Sequence, residues 1–382
     1  MIGLGLRANL FEAAHRPGRG SVIAALCDLD ITKTVPWAAR APEAKVTTRY
    51  QDLLDDPTID GVIVATPDFT HLEIVGACLE AGKATFAEKP LAISIAACDA
   101  LLATAMRTGS RLYVGHNMRH FSMVRIMKRL IDERAIGEVK AVWCRHFVGH
   151  GGDFYFKDWH AERANVTSLL LQKGAHDLDV IHWLAGGVGR RVHGIGGLQV
   201  YGGIADRFGG EGLPPHWFDP KRNWPPLTNT GMHRSIDVED LSMIQMVLDN
   251  GVMASYEECH FSPDYWRNYT VIGTEGRIEN FGDTTGKVCL YRGRTGYTAK
   301  AAEVHRFRAT PGGHGGADER IMAEFVRFAR VGGITDTSPI GAREAVAVGC
   351  AGAESIRSHG IPIDIAPPDP VVAAYFAAGQ SR

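Results

Sequence analysis

Ala84-Thr85-Phe86-Ala87-Glu88-Lys89-Pro90 decides the reading of this chain. Its first four residues are mostly apolar and make a run short enough for a buried strand. Glu88-Lys89-Pro90 follows where that strand must end. In a parallel α/β sheet, ligands bind just beyond the carboxyl ends of the strands. A lysine at such an end is poorly placed unless its amine is used. Beside another cationic group its ammonium is destabilised, which leaves it able to exchange a proton near neutral pH.

The segments on either side supply the rest of such a sheet. Residues 22–26 are a short apolar run ending in Cys27-Asp28, and Leu53-Leu54 marks a short helix. Gly61-Val62-Ile63-Val64-Ala65 is a second strand, ending in Thr66-Pro67. Residues 71–79 have helical spacing with Gly82 as C-cap. Residues 94–106 read as a helix leading to the strand Arg111-Leu112-Tyr113-Val114. Strands separated by helices of this length predict βαβ units and a parallel Rossmann-type sheet over residues 1–120.

The pattern changes near residue 138. Residues 139–148 read as one long strand, and residues 241–256 alternate across a turn at Asp249-Asn250-Gly251. Residues 269–272 and 277–281 flank a Gly-Thr-Glu-Gly turn. These features predict an α+β domain with a mostly antiparallel sheet over residues 121–367, with helices at 318–330 and 343–357 that can pack back on the first domain. Asp318 reads as the N-cap of the first of these helices, and residues 368–382 read as a tail. Residues 202–237, rich in Gly, Pro and Trp, predict a lid, a binding loop or an oligomer contact.

Composition narrows the classes. A chain of 382 residues exceeds one ordinary core, so two domains are expected. The net charge of −2 argues against a nucleic-acid surface, which needs clustered Lys and Arg. No apolar run approaches the roughly 20 residues of a membrane span, and the start lacks the pattern of a signal peptide. The seven cysteines are scattered without a CxxC pair, and His260, His305 and His314 lack ligand spacing. A reduced cytoplasmic protein without a metal is expected.

Gly3-Leu4-Gly5-Leu6-Arg7-Ala8 fits G-x-G-x-x-(G/A). Its glycines permit a tight turn and close approach of backbone to a pyrophosphate lying on a helix N-terminus. Gly3, Gly5, Leu6 and Arg7 are therefore expected cofactor contacts. Asp28 follows at the end of the next apolar run, where it would accept from a ribose 2′-OH and repel a 2′-phosphate, favouring NAD over NADP. A helix N-cap is the plainer role for Asp28. Met1 and Ile2 alone precede Gly3, so the first strand has almost no residues of its own.

With these segments side by side, the chain resembles the Gfo/Idh/MocA family. The matching stretches are Ala65-Thr66-Pro67-Asp68-Phe69-Thr70-His71, Ala81-Gly82-Lys83 running into Glu88-Lys89-Pro90, and Gly115-His116-Asn117-Met118-Arg119. Ala135-Ile136-Gly137-Glu138-Val139, Gly174-Ala175-His176-Asp177-Leu178-Asp179 and Gly273-Thr274-Glu275-Gly276 follow in the same order. The resemblance implies nicotinamide dinucleotide, a sugar or polyol substrate, and a homodimer or homotetramer formed through the sheets. It implies that Thr66, Pro67 and His71 line the adenosine and ribose side, and that Glu88 and Lys89 lie near the nicotinamide ribose. Asn117 and Arg119 would lie beside the nicotinamide end.

Hydride transfer from a secondary alcohol needs a donor to hold the oxygen and a base to take its proton. Lys89 suits the first task. His176 suits the second, with a side chain that titrates near neutrality, and it falls in the family's G-x-H-x-x-D motif. Asp179, one helical turn further, could orient the imidazole. Two positions depart from the family pattern. Gln172 stands where many family dehydrogenases carry Asp, followed by Lys173, and Trp159-His160 stands where a Trp-Arg pair often touches the cofactor. Arg119, His160, Gln172 and Lys173 are expected to join Lys89 and His176 on the substrate side. The amide at Gln172 also raises an alternative within the family: an NAD-dependent glycosidase that oxidises a sugar transiently, eliminates the aglycone, adds water and re-reduces.

Overall fold

A computed structural model describes residues 1–149, 152–210, 212–214, 216–219, 221–294 and 300–380. The chain divides into two compact units, the first of Met1–Phe121, Ala309–Val346 and Pro367–Arg382, the second of Ser122–Arg308 and Ala347–Ala366. Positions 211, 215 and 220 of the 202–237 segment, and 381–382 of the expected tail, lie outside the described residues.

The first unit is built on parallel strands β1 (Ala25–Cys27), β2 (Lys45–Thr47), β3 (Gly61–Val64), β4 (Ala84–Ala87) and β5 (Leu112–Val114). β1 starts three residues later than the apolar run beginning at Val22, which is itself exposed. β1 pairs with β2, and β3-β4-β5 form a second ladder, all parallel. Ile2 joins the two, making parallel bridges to both Cys27 and Val64. Its N–H donates to Ile63 O at 2.8 Å, and its carbonyl accepts from Ala65 N at 2.8 Å. Counting Ile2 as the first strand, the spatial order is third-second-first-fourth-fifth-sixth, the doubly wound order whose crevice opens on both sides of the first strand. β1, β4 and β5 are buried at every residue, and β3 at all but Gly61, as expected of strands covered on two faces.

Helices His71–Glu80 and Ile95–Thr108 pack on one another, their buried faces including Cys78, Leu79, Leu101 and Leu102. Elsewhere in the unit, helix Ala317–Val331 sets Phe325 against Phe86 at a ring separation of 5.6 Å and Phe328 near Tyr113 at 6.4 Å. Burying a ring such as Phe86, which has no exposed surface, contributes about 2 kcal/mol. The N-cap of helix Ala317–Val331 is Gly316, at φ +85°; Asp318 lies inside the first turn instead of capping it. Residues 368–380 are more than a tail. Asp369 caps helix Pro370–Ala377, and the Gln380 amide pairs with both backbone groups of Leu112, at 2.8 and 2.7 Å.

The second unit is a nine-stranded sheet. Its strands are β6 (Val139–Val148), β7 (Gly189–Gly197), β8 (Leu241–Leu248), β9 (Met253–Cys259), β10 (Tyr265–Gly273), β11 (Gly276–Phe281), β12 (Gly286–Arg292), β13 (Glu303–Phe307) and β14 (Ile363–Asp364). Their order is β13-β12-β11-β10-β6-β9-β8-β7-β14, antiparallel except between β6 and β9. Alternation sets the two faces: Val142, Cys144, His146 and Val148 of β6 are buried on the side covered by helix Ala175–Ala185, while Trp143 faces outward. Turn residue Gly251, at φ +81°, closes the expected β8–β9 hairpin. No helix among the described residues is long and apolar enough to cross a membrane.

Candidate active site

The Gly3–Ala8 loop leaves the first strand at the carboxyl end of the parallel sheet. Gly3 sits at φ +85°, where an added Cβ would lie 2.6 Å from Ala65 O, so no other residue fits. At Gly5 an added Cβ would meet nothing within 4 Å; the loop is open there, on the side where a diphosphate would approach the backbone. Asp28 ends the next strand. Its Oδ2 accepts from Leu4 N at 2.8 Å and its Oδ1 from Asp30 N at 3.0 Å, with Lys33 Nζ at 3.8 Å. The capping role expected for Asp28 falls to Asp30, whose side chain accepts from Thr32 N at the head of the turn Ile31–Thr34. A tight glycine, an open glycine and a strand-end carboxylate are the parts a dinucleotide needs, so these residues fit NAD.

Arg7 pairs with two carboxylates. Its Nε donates to Glu88 Oε1 at 2.8 Å, and its two terminal nitrogens reach Asp318 at 3.0 Å each. Asn117 Nδ2 donates to the same carboxylate at 3.2 Å, and His314 Nδ1 lies 2.9 Å from it. Burial alone would raise the Asp318 carboxyl, but the hydrogen bonds from His314 and Arg7 hold it well below the usual range. Glu88 uses its other oxygen to accept from the Lys89 backbone N–H at 3.0 Å. The Glu-Lys-Pro turn at the end of β4 is thereby clamped, through Arg7, to the glycine loop and to helix Ala317–Val331. Lys89 is partly buried and precedes a cis peptide to Pro90.

The other expected residues of this unit fall at the same sheet end. His71 has no exposed surface; its ring nitrogens lie 2.8 Å from Pro90 O and 3.0 Å from Thr66 O. Burial pushes its pKa down; both neighbours are carbonyl oxygens, so the neutral ring donates to one of them and lies against the other, between the Pro90 turn and the end of β3. The Thr66 hydroxyl accepts from Thr70 at 2.7 Å, and Pro67 N-caps the turn Asp68–Thr70. Asn117 and Arg119 are buried after β5, Arg119 donating to Asp336 O at 2.7 Å. Leu6 is exposed at the loop tip. A cavity of about 700 Å³ at the opposite, amino ends of the strands, lined by Met1, Ala25, Gly61 and Phe325 among others, is remote from these groups.

The remaining expected residues lie in the second unit. Gln172 closes the short helix Leu169–Gln172 and is buried; Lys173 and Gly174 continue the helical backbone into helix Ala175–Ala185. His176 is partly buried in the first turn of that helix, with Asp179 buried one turn on. The cluster that organises this helix end centres instead on Asp177. It is fully buried, its carboxylate 2.9 Å from Arg267 Nε and 3.0 Å from His146 Nδ1, and it accepts from the hydroxyls of Tyr256, at 3.1 Å, and Tyr269. Burial would raise this carboxyl, but Arg267 beside it holds it far below the usual range. Burial, then the Arg267 charge, pushes His146 down to about 3, so that ring is neutral. Residue alternation along β10 carries a signal for this cluster: Arg267 points to the covered face in step with Tyr269, and a buried guanidinium requires a carboxylate.

The aromatic segment 153–160 lies in the same unit. His160 stacks on Trp159 at 3.7 Å between ring centres, and its Nδ1 is 2.6 Å from Asp158. Phe154 contacts Tyr155, Trp217 and Phe218, and Asn223 donates to Asp153 at 2.7 Å, so part of the 202–237 segment packs over this insertion.

Comparison with known proteins agrees with a dinucleotide-binding oxidoreductase class. Residues 1–116 match a family model described as an oxidoreductase family with an NAD-binding Rossmann fold, and residues 124–279 match the GFO/IDH/MocA C-terminal domain. The chain belongs to the Gfo/Idh/MocA family, and its first unit carries an NAD-binding Rossmann fold. Inositol 2-dehydrogenase 2 of Saccharopolyspora erythraea is 33% identical over 188 residues, 49% of this chain and 53% of that one. The 2,7-anhydro-N-acetylneuraminate hydratase of Mediterraneibacter gnavus is 30% identical over 219 residues, 55% of this chain and 54% of that one. The chain thus spans about half the length of such curated relatives. Levoglucosan dehydrogenase, solved with NADH and L-sorbose, superposes with a TM-score of 0.76 over 96% of this chain and 97% of that one; at 22% identity the likeness is one of fold.

Proposed function

We propose that this protein is an NAD-dependent dehydrogenase that moves a hydride between a secondary hydroxyl of a sugar or polyol and the nicotinamide. The observation that carries the reading is the clamped Glu88-Lys89-Pro90 turn at the carboxyl end of β4, in the unit that bears the dinucleotide loop. NAD, when bound, supplies the hydride acceptor. Gly3 and Gly5 admit its diphosphate, Asp28 takes the ribose hydroxyl, and Lys89 donates to the substrate oxygen as charge builds there. His176 accepts the hydroxyl proton, with Asp179 one turn away to orient it. The inositol dehydrogenase relative favours this reaction. Formation of NADH from a panel of polyols and sugars tests the reading, and its absence across the panel would overturn it.

Asp28 governs cofactor choice in this scheme. Asp28→Asn keeps an acceptor for the Leu4 N–H but removes the charge that repels a 2′-phosphate. It is expected to shrink the NAD-over-NADP ratio of kcat/KM by roughly tenfold. An unchanged ratio assigns Asp28 to loop geometry alone.

The uncovered face of the nine-stranded sheet supports a homo-oligomer. Trp143 (52% exposed), Met253 (64%), Ile195 (58%), Met243 and Val247 all point outward from β6–β9, in registers that place them on one face. So much clustered apolar surface suits contact with a second copy. Trp143→Glu with Met253→Glu is expected to halve the mass measured by light scattering, or reduce it further for a tetramer.

A further inference from the structure

The basic side chains around the Tyr155–Tyr265 pair nearly all have acidic partners. Arg267 lies 2.9 Å from Asp177 and 3.1 Å from Asp283; Lys157 is 3.6 Å from Asp153, His160 2.6 Å from Asp158, and His260 3.1 Å from Glu258. Among the described residues Lys173 is the exception. Its ammonium contacts two ring faces, Tyr155 at 5.8 Å and Tyr265 at 5.7 Å, and makes no ion pair. Ring faces stabilise a cation but accept none of its N–H donors in the way an oxygen does. Gln172, next along the chain, is an amide and adds no counter-charge. Lys173 precedes His176 by three residues on a continuous helical path, which puts the two on one side of it.

We propose that Lys173 receives a carboxylate on the substrate, so that the carbohydrate this site oxidises is a sugar acid. This rests on the dehydrogenase reading of the same site. One ammonium matches one carboxylate; a phosphate dianion is better met by a guanidinium fork. Tyr265, exposed beside Lys173, has ring surface that suits the C–H side of a sugar. Lys173 is also costly to keep charged unless an anion arrives. Burial and the Arg267 charge push its pKa down to about 8, against the opposing pull of Asp177, Glu258 and Asp283, none of which pairs with it. A bound carboxylate would restore the proton, so KM for the acid is expected to climb as pH rises above about 8.

The test measures NADH formation with D-glucuronate, D-galacturonate, the matching hexoses, myo-inositol and glucose 6-phosphate. The uronates are expected to exceed their hexoses in kcat/KM by roughly 30-fold, an effect of the size of a charged hydrogen bond. Lys173→Met should erase that margin through KM, lowering kcat/KM for the uronates at least roughly tenfold more than for the neutral substrates; Lys173→Arg should keep most of it. Equal rates on acids and hexoses, equal losses on both in Lys173→Met, or a preference for the phosphate would overturn the proposal. If no compound yields NADH, the dehydrogenase reading falls instead. Calorimetric titration of glucuronate into the NADH-loaded protein then decides: binding that Lys173→Met abolishes sustains the carboxylate site, and no binding overturns it.

Discussion

Lys89→Ala is expected to lower kcat by about a thousandfold or more, while NAD affinity stays within about threefold. The asymmetry follows from how the turn is held. Glu88 contacts Arg7 through its side chain and Lys89 through the backbone N–H, so truncating the Lys89 side chain leaves both contacts in place. The dinucleotide loop keeps its anchors, and only the ammonium that would meet the developing alkoxide is lost. Lys89→Arg separates charge from position: it keeps a cation but cannot give up a proton, and it is expected to recover only a small part of the rate. Stopped-flow measurement of NADH formation, with NAD binding followed by fluorescence, checks both halves. Turnover surviving in Lys89→Ala would remove this residue from the chemistry.

The second large effect concerns folding. Asp177→Ala is expected to cost about 3–5 kcal/mol, because it strands the Arg267 guanidinium with Asp283 alone and leaves the hydroxyls of Tyr256 and Tyr269 without their acceptor. For a unit of this size that is a fall of about 10 °C in the melting of the second unit, read by calorimetry. Asp177→Asn keeps the shape and some hydrogen bonds and should lose less. The pH dependence has a definite sign. The folded-state pKa of Asp177 is depressed, so its contribution is complete above the ordinary value of 3.8 and fades as pH falls below it. In Asp177→Asn the acid limb of the stability profile should flatten. A melting profile that keeps its acid limb would place the acid sensitivity elsewhere.

The parallel half was legible because its strands are short apolar runs, each ending at a residue with chemistry: Cys27-Asp28, Thr66-Pro67, Glu88-Lys89. Period and punctuation agree there, so local reading and fold coincide. β7 was hidden because Gly189–Gly197 contains four glycines and two arginines, and its strand state comes from pairing with β8. The Ala317–Val331 helix and its return to the first unit were legible, but not the contacts that hold it there, which reach residues some 230 to 310 positions earlier. At the site, Lys89, Asn117 and His176 could be named from their motifs. Asp318 and Asp177 could not be given their roles, because the cations that fix them, Arg7 and Arg267, are remote in sequence. Asp179 follows from helical spacing after His176, whereas the role of Asp177, equally buried, depends on partners from β6, β9 and β10.

The Arg7 clamp has a consequence for ionic strength. A cation beside a glycine loop invites direct pairing with a diphosphate, and such pairing weakens as salt is added. Here the guanidinium is already neutralised by Glu88 and Asp318, and the loop meets its ligand with backbone N–H dipoles fixed in direction. Cofactor affinity in this protein should therefore be nearly indifferent to salt, whereas recognition of a charged substrate in the other unit should not.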